Sequence, residues 1–195
     1  SGGAGKMAGT TLINQYADMP APKVHSDRLM VLQAAPLAYF YEDKTCKPFP
    51  LHDFDHEISI IKSALDGSIK LDASIEMEVE SATTSSFTTF MGSGSSRVLH
   101  FSGFGHPTHV LAFETEDGYL DDSFSLESLY SVVKSANPPL ELVVVNSFHS
   151  GRIGKAFLDA GVPHVVCCHH PEIFRDKAAN SFIKNFYLFL IILDK

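Results

Sequence analysis

Three short clusters in this sequence gather residue types that can do chemistry. "HFSGFGHP" (100–107) sets His100, Ser102, Gly103, Phe104, Gly105 and His106 at the end of an apolar run. "NSFHSG" (146–151) sets Asn146, Ser147, Phe148, His149, Ser150 and Gly151 after "LELVVV". "VVCCHHPE" (165–172) sets Cys167 and Cys168 against His169 and His170. A buried strand running into a small polar turn is where α/β proteins present a nucleophile or hold a ligand. Histidine would serve as base, and cysteine or serine as nucleophile. In the first two clusters, however, a phenylalanine stands at the tip of the turn, and its ring can neither ionise nor attack.

The neighbours do not restore the chemistry by pattern alone. Ser147 and Ser150 are the nearest hydroxyls, and small polar turn residues are expected to bond nearby backbone. His106 as a relocated base would still lack a nucleophile, and His149 follows Phe148 directly, so it leaves the strand end in a different direction. Two Cys followed by two His is a donor set for zinc. Contiguous ligands rarely wrap one tetrahedral ion, however, and a Cys at the end of a buried strand is usually a small hydrophobe. Cys46, in a loop flanked by Lys and Pro, reads as an incidental surface thiol. "SGGAGKMAGTT" has the glycines and lysine of a phosphate loop, but Met7 follows Lys6 and no strand precedes it. No metal or cofactor is expected.

The elements that must position these clusters follow from periodicity. "RLMVLQAAPLAYF" (28–40) reads as a buried strand that turns at Pro36. "FPLHDFDHEISIIKSALDG" (49–67) reads as a helix capped by His52 or Asp53, with Phe54, Ile58, Ile61 and Leu65 on one face and Gly67 at its end. "IEMEVESA" (75–82) alternates as a half-exposed strand. Its row of Glu76, Glu78 and Glu80 reads as a solvated face, with an acidic patch for a basic partner as the sharper alternative. Residues 83–96 suggest a weak helix, 97–105 a strand and 108–122 a hairpin around Glu116-Asp117-Gly118. The spacing predicts a helix over 123–136, facing inward through Leu126, Leu129, Val132 and Val133 and stopped by Pro138 and Pro139. Then come a strand at 140–145, a short helix at 152–161, a buried strand at 163–168, and a helix at 175–193 with Ala179, Phe182, Phe186 and Leu190 on one face. Apolar strands alternating with helices imply a mostly parallel sheet covered on both faces.

Composition narrows the function classes. Hydrophobic residues make up 45 % and charged residues 19 % of the 195, which supports a packed core. A net charge of −8 with scattered Lys and Arg argues against nucleic acid and against anionic membranes as partners. The longest uncharged apolar run, "FYLFLIIL", is too short to span a bilayer, which needs about 20 residues. An odd count of three cysteines, two of them adjacent, is no disulfide framework and points to a reducing, cytoplasmic setting. Residues 1–26 read as a flexible N-terminal arm and 27–195 as one domain. The abrupt "LIILDK" suggests that the domain continues beyond it.

The ordered set of motifs resembles the CHAT domain, a branch of the caspase-like cysteine peptidases related to separases and metacaspases. The family pattern has a strand ending in a His-x-x-Gly-His-Gly-like turn, and a later strand ending in Asn-Ala-Cys-x-Ser-Gly. A last helix opens near Asp-x-Ala-Ala-x-x-Phe-x-x-x-Phe-Tyr. His100–Gly105, Asn146–Gly151 and "DKAANSFIKNFY" (176–187) match in order and spacing, and Glu57 matches a family-typical acid on the first helix. The resemblance spans about residues 28–190. It implies a caspase-like three-layer α/β sandwich with a vestigial cleft around His100, Ser102, Gly103, Gly105, His106, Asn146, Ser147, His149, Gly151, Cys167 and Cys168. It also places Phe104 at the family's catalytic His and Phe148 at its catalytic Cys. The expectation is therefore a pseudopeptidase binding a protein or peptide partner, with the two rings stacked side by side. The alternatives are a peptidase using relocated residues and a metal- or redox-responsive module built on Cys167, Cys168, His169 and His170.

Overall fold

A computed structural model describes residues 12–13, 28–40, 44–49, 53–69, 75–104, 111–121, 123–168 and 176–193. Eight strands and five helices follow in chain order: β1 (Leu12–Ile13), β2 (Arg28–Ala34), β3 (Ala38–Phe40), β4 (Cys46–Pro48), α1 (Phe54–Ile69), β5 (Glu76–Ser81), α2 (Thr84–Ser93), β6 (Val98–Gly103), α3 (Leu126–Lys134), β7 (Leu142–Asn146), α4 (Gly151–Asp159), β8 (His164–Cys167) and α5 (Asp176–Leu193). The main sheet runs β1-β8-β7-β6-β2-β5, and β3 pairs with β4 in a separate ribbon. β5, β2, β6, β7 and β8 are mutually parallel, while β1 joins the β8 edge antiparallel. β1 lies inside the stretch read as an N-terminal arm. Cys46, read as a loop residue, lies on β4 and is exposed.

The inner parallel strands are largely apolar on both faces because each face carries helices, whereas β5 at the edge is exposed. On one side Leu99, Phe101, Val143 and Val145 pack with Phe87, Phe90, Leu129, Phe157 and other residues of α2, α3 and α4. On the other, Leu29, Val31, Val98, Leu142 and Val144 pack with Ile61, Ala64 and Leu65 of α1 and with Ile183 and Tyr187 of α5. Each fully buried aliphatic or aromatic side chain contributes about 1.5–3 kcal/mol, so these two layers dominate stability.

Local chemistry explains the element ends. Asp53 caps α1, with its Oδ1 accepting from the His56 N–H at 3.0 Å. The helix continues past Gly67 to Ile69 rather than stopping at the glycine. α2 is a full helix fastened by a reciprocal capping box between Thr83 and Ser86. The expected hairpin is a tight turn: Gly118, at φ 78°, donates its N–H to the Thr115 carbonyl, and a single antiparallel bridge joins Glu114 and Leu120. On α5 the buried line is Ala179, Ile183 and Tyr187, with Phe182, Phe186 and Leu190 half-buried beside it. The face is thus rotated by one residue from the one periodicity suggested.

Candidate functional site

The sheet changes winding direction at β2 and β6, so the crevice outside the carboxyl ends of β2, β6 and β7 is where such a fold places a site. Side chains alternate along these strands. Those facing α1 and α5 change from apolar to polar as the strands end. One rung carries Leu29, Val98 and Leu142, a middle rung Val31, His100 and Val144, and the last rung Gln33, Ser102 and Asn146.

Glu57 of α1 reaches under these strand ends and gathers Ser102 and Asn146 of the last rung with His100 of the middle one. Its Oε1 lies 2.9 Å from His100 Nε2 and accepts from Asn146 Nδ2 at 2.6 Å, while its Oε2 accepts from Ser102 Oγ at 2.5 Å. His100 Nδ1 lies 2.8 Å from the Tyr187 hydroxyl of α5. With the His100 proton on Nε2, Tyr187 donates to Nδ1 and every partner is used once. Glu57 and Tyr187 are each 1 % exposed, and His100 and Ser102 fully buried. A carboxylate so placed is tolerable only because three donors satisfy it. Burial pushes the Tyr187 hydroxyl well above its ordinary pKa, and the nearby Glu57 adds to this. Only Asn146, at the end of β7, is partly exposed. The network ties α1, β6, β7 and α5 together directly beneath the crevice.

Above it stand the two turns. Phe104 and Phe148 each lie two residues beyond the paired rung Ser102–Asn146, at matching heights on neighbouring strand ends. Their rings do not stack on one another. Phe104 stacks on Phe49 at 5.3 Å between centroids and 30° between planes, and Phe49 in turn meets Tyr39 at 4.9 Å. Phe148 has no ring partner among the described residues. The ribbon β3–β4, entered through the turn at Pro36, delivers the aromatic partner that pattern reading assigned to Phe148.

The rest of the second turn is tightly held. His149 has φ 55°, in the left-handed region that a side chain with Cβ rarely adopts. Ser150 is fully buried and does not cap α4. Its Oγ accepts the Cys168 N–H at 2.8 Å and lies 3.3 Å from the Cys168 carbonyl, fastening the turn to the end of β8. Ser147 Oγ reaches only the Phe148 carbonyl, at 3.4 Å. Gly151 opens α4.

The remaining predicted site residues have packing roles. A Cβ on Gly103 would lie 2.8 Å from the Ala34 Cβ, so glycine lets β6 and β2 close up at their ends. A Cβ on Gly154 would meet Cys167 Sγ at 2.5 Å, so Cys167 packs into α4, on the sheet face opposite Glu57. Burial pushes the Cys167 thiol up to about 11, with Cys168 adding to it. Gly105, His106, His169 and His170 lie outside the described residues. Among the described residues no three His, Cys, Asp or Glu side chains are grouped as metal ligands, and no helix is long and apolar enough to cross a membrane.

Residues 10–190 match the CHAT domain family. The chain belongs to that family. Comparison with curated proteins finds no match. A CHAT domain is a caspase-like, peptidase-related module, and the three-layer sheet described above is that architecture. Sequence reading had placed Glu57 on the family pattern without a partner and had used Tyr187 only to mark the end of a motif. The signal for both was a polar side chain on the apolar face of a helix. The same signal marks Gln33, a lone amide in the strand "RLMVLQA".

Proposed function

We propose that this CHAT domain is a catalytically inactive pseudopeptidase that acts as a protein-binding or scaffold module. The observation that carries the reading is the pair Phe104 and Phe148. They stand at matched strand ends over an intact supporting network, at the positions where the family pattern has its base and nucleophile. Acyl transfer by a thiol needs a sulfur that ionises and a group that takes its proton. The two rings supply neither. The Cys167 sulfur does not compensate, because a thiol with a pKa near 11 is protonated at neutral pH, and Cys167 faces the other side of the sheet. The aromatic row Phe104–Phe49–Tyr39 borders the crevice and favours an uncut peptide whose apolar side chain packs on it. Three free cysteines, with Cys46 exposed, suit a reducing, cytoplasmic setting.

The test has two arms. The wild-type chain should neither cleave a diverse peptide library nor be labelled by an acylating electrophilic peptide; cleavage or stoichiometric labelling of a serine or cysteine refutes inactivity. The double variant Phe104→His, Phe148→Cys should then acquire a reactive thiol at residue 148, alkylated at neutral pH faster than either single variant. Gain of cleavage would show a crevice still shaped for substrate.

A further inference from the structure

The geometry points to a second binding surface, away from the crevice: we propose that the outer edge of β5, unpaired among the described residues, takes up an extended, basic peptide strand from another protein. β5 pairs with β2 through six unbroken rungs, from Arg28–Glu76 to Gln33–Ser81, and lies at the end of the sheet. Among the described residues nothing pairs with its outer side. Natural edge strands are usually blunted by shortness, charged side chains, a proline or a bulge, and here the one such device is the row of three glutamates, which repels a like strand but not a basic one. This one is six residues long and has no lysine, proline or bulge.

Its side chains supply a two-sided code. Glu76, Glu78 and Glu80 are exposed on one face, about 6.6 Å apart at strand rise. An added strand repeats its own side chains at the same interval, so Lys or Arg at alternate positions would stand opposite each acid. Only Glu76 has a cationic neighbour, Arg28 at 3.3 Å; Glu78 and Glu80 have none among the described residues. The other face carries half-buried Met77 and Val79, which is 39 % exposed. That lane suits apolar residues at the intervening positions of the incoming strand. A second copy of this chain is a poor occupant, since edge-to-edge pairing would set glutamates against glutamates. β2 separates β5 from β6 and β7, so this surface does not depend on the state of Phe104 and Phe148.

The probe is an end-blocked octapeptide alternating Lys and Val, titrated into the full chain by calorimetry, with amide exchange followed by NMR or mass spectrometry. Binding should protect β5 amides from exchange. The triple variant Glu76→Lys, Glu78→Lys, Glu80→Lys should weaken it by about tenfold or more, with the fold checked by circular dichroism. A Lys-Val peptide N-methylated at alternate residues should not bind, because strand addition needs its N–H groups. Three results each overturn the proposal: no binding, which would leave the acidic row as a guard against self-association only; equal binding of the N-methylated peptide, which would reduce the contact to charge attraction; and protection elsewhere than β5. If the triple variant fails to fold, the exchange map and the N-methylated peptide on the wild-type chain still decide.

Discussion

Two layers of the same crevice have diverged. The lower one, Glu57 with His100, Ser102, Asn146 and Tyr187, is polar, buried except for a partly exposed Asn146, and joined by hydrogen bonds throughout. The upper one, the turns bearing Phe104 and Phe148, is only partly buried, and its packing is looser: Phe104 stacks on Phe49, and Phe148 meets no ring among the described residues. The first layer answers to folding and the second to chemistry. A buried carboxylate cannot be abandoned piecemeal, because removing one partner strands the others without water. A turn at the surface of a crevice carries no such penalty. The contrast predicts that stability is concentrated in the lower layer, and that changes in the upper layer are nearly free.

The largest effect should come from Glu57→Ala. It leaves His100, Ser102 and Asn146 without their shared acceptor in a dry site and should cost about 3–5 kcal/mol, read as a lower urea midpoint. A loss below about 1 kcal/mol would mean that water enters and that the two layers differ less than their burial suggests.

Next is Tyr187→Phe, which keeps the ring and removes one hydroxyl. Stranding His100 Nδ1 should cost about 1–2 kcal/mol. The variant also has a pH signature. An unfolded tyrosine ionises near pH 10, whereas burial and Glu57 hold the native Tyr187 hydroxyl protonated well above that. Above pH 10 the native state therefore binds more protons than the unfolded one, and stability falls as pH rises. Below pH 10 this group contributes no slope. In Tyr187→Phe that part of the alkaline loss should be missing from denaturation curves taken between pH 8 and 11.

A smaller effect separates the two aromatic pairings. A double-mutant cycle on Phe104 and Phe49, each changed to Ala, should give a coupling of about 0.5–1.5 kcal/mol. The same cycle on Phe104 and Phe148 should give nearly none, because their rings do not meet. A reversed result would restore direct stacking of the two dyad positions.

These layers were not equally legible in the sequence. The apolar strands "LVVV" and "HVV" and the turn at Asp117-Gly118 are written locally, in runs and in residues of known backbone preference, so the strands and the turns could be read from one dimension, whereas the order in which the strands pair could not. The positions of Phe104 and Phe148 were legible for the same reason, since each ends its own strand. The partners were not. Glu57 and His100 are 43 residues apart and His100 and Tyr187 are 87 apart, and what joins them is the stacking of α1 and α5 on one sheet face. Likewise the ring against Phe104 comes from Phe49, after a ribbon that no periodicity announces. Phe148 was the nearer guess only because the family pattern pairs those two positions.

The smallest effect concerns the backbone of the second turn, around Phe148 and His149. His149 holds φ 55°, a conformation that costs a residue with Cβ about 1–2 kcal/mol. Glycine would remove that cost, but it also gains freedom in the unfolded chain, which returns about 0.4–1 kcal/mol. His149→Gly should therefore stabilise the protein by only about 0.5 kcal/mol, whereas His149→Val, with branching at Cβ, should destabilise it by at least about 1 kcal/mol. Both are read from thermal or urea midpoints. The opposite order would mean that the His149 side chain itself holds the turn, and then the upper layer would not be free to change. With the predicted order, the turn is shaped from below and behind, by Asn146 on Glu57 and Ser150 on Cys168. On the proposed reading, that is how it can hold its geometry with a phenylalanine at the nucleophile position.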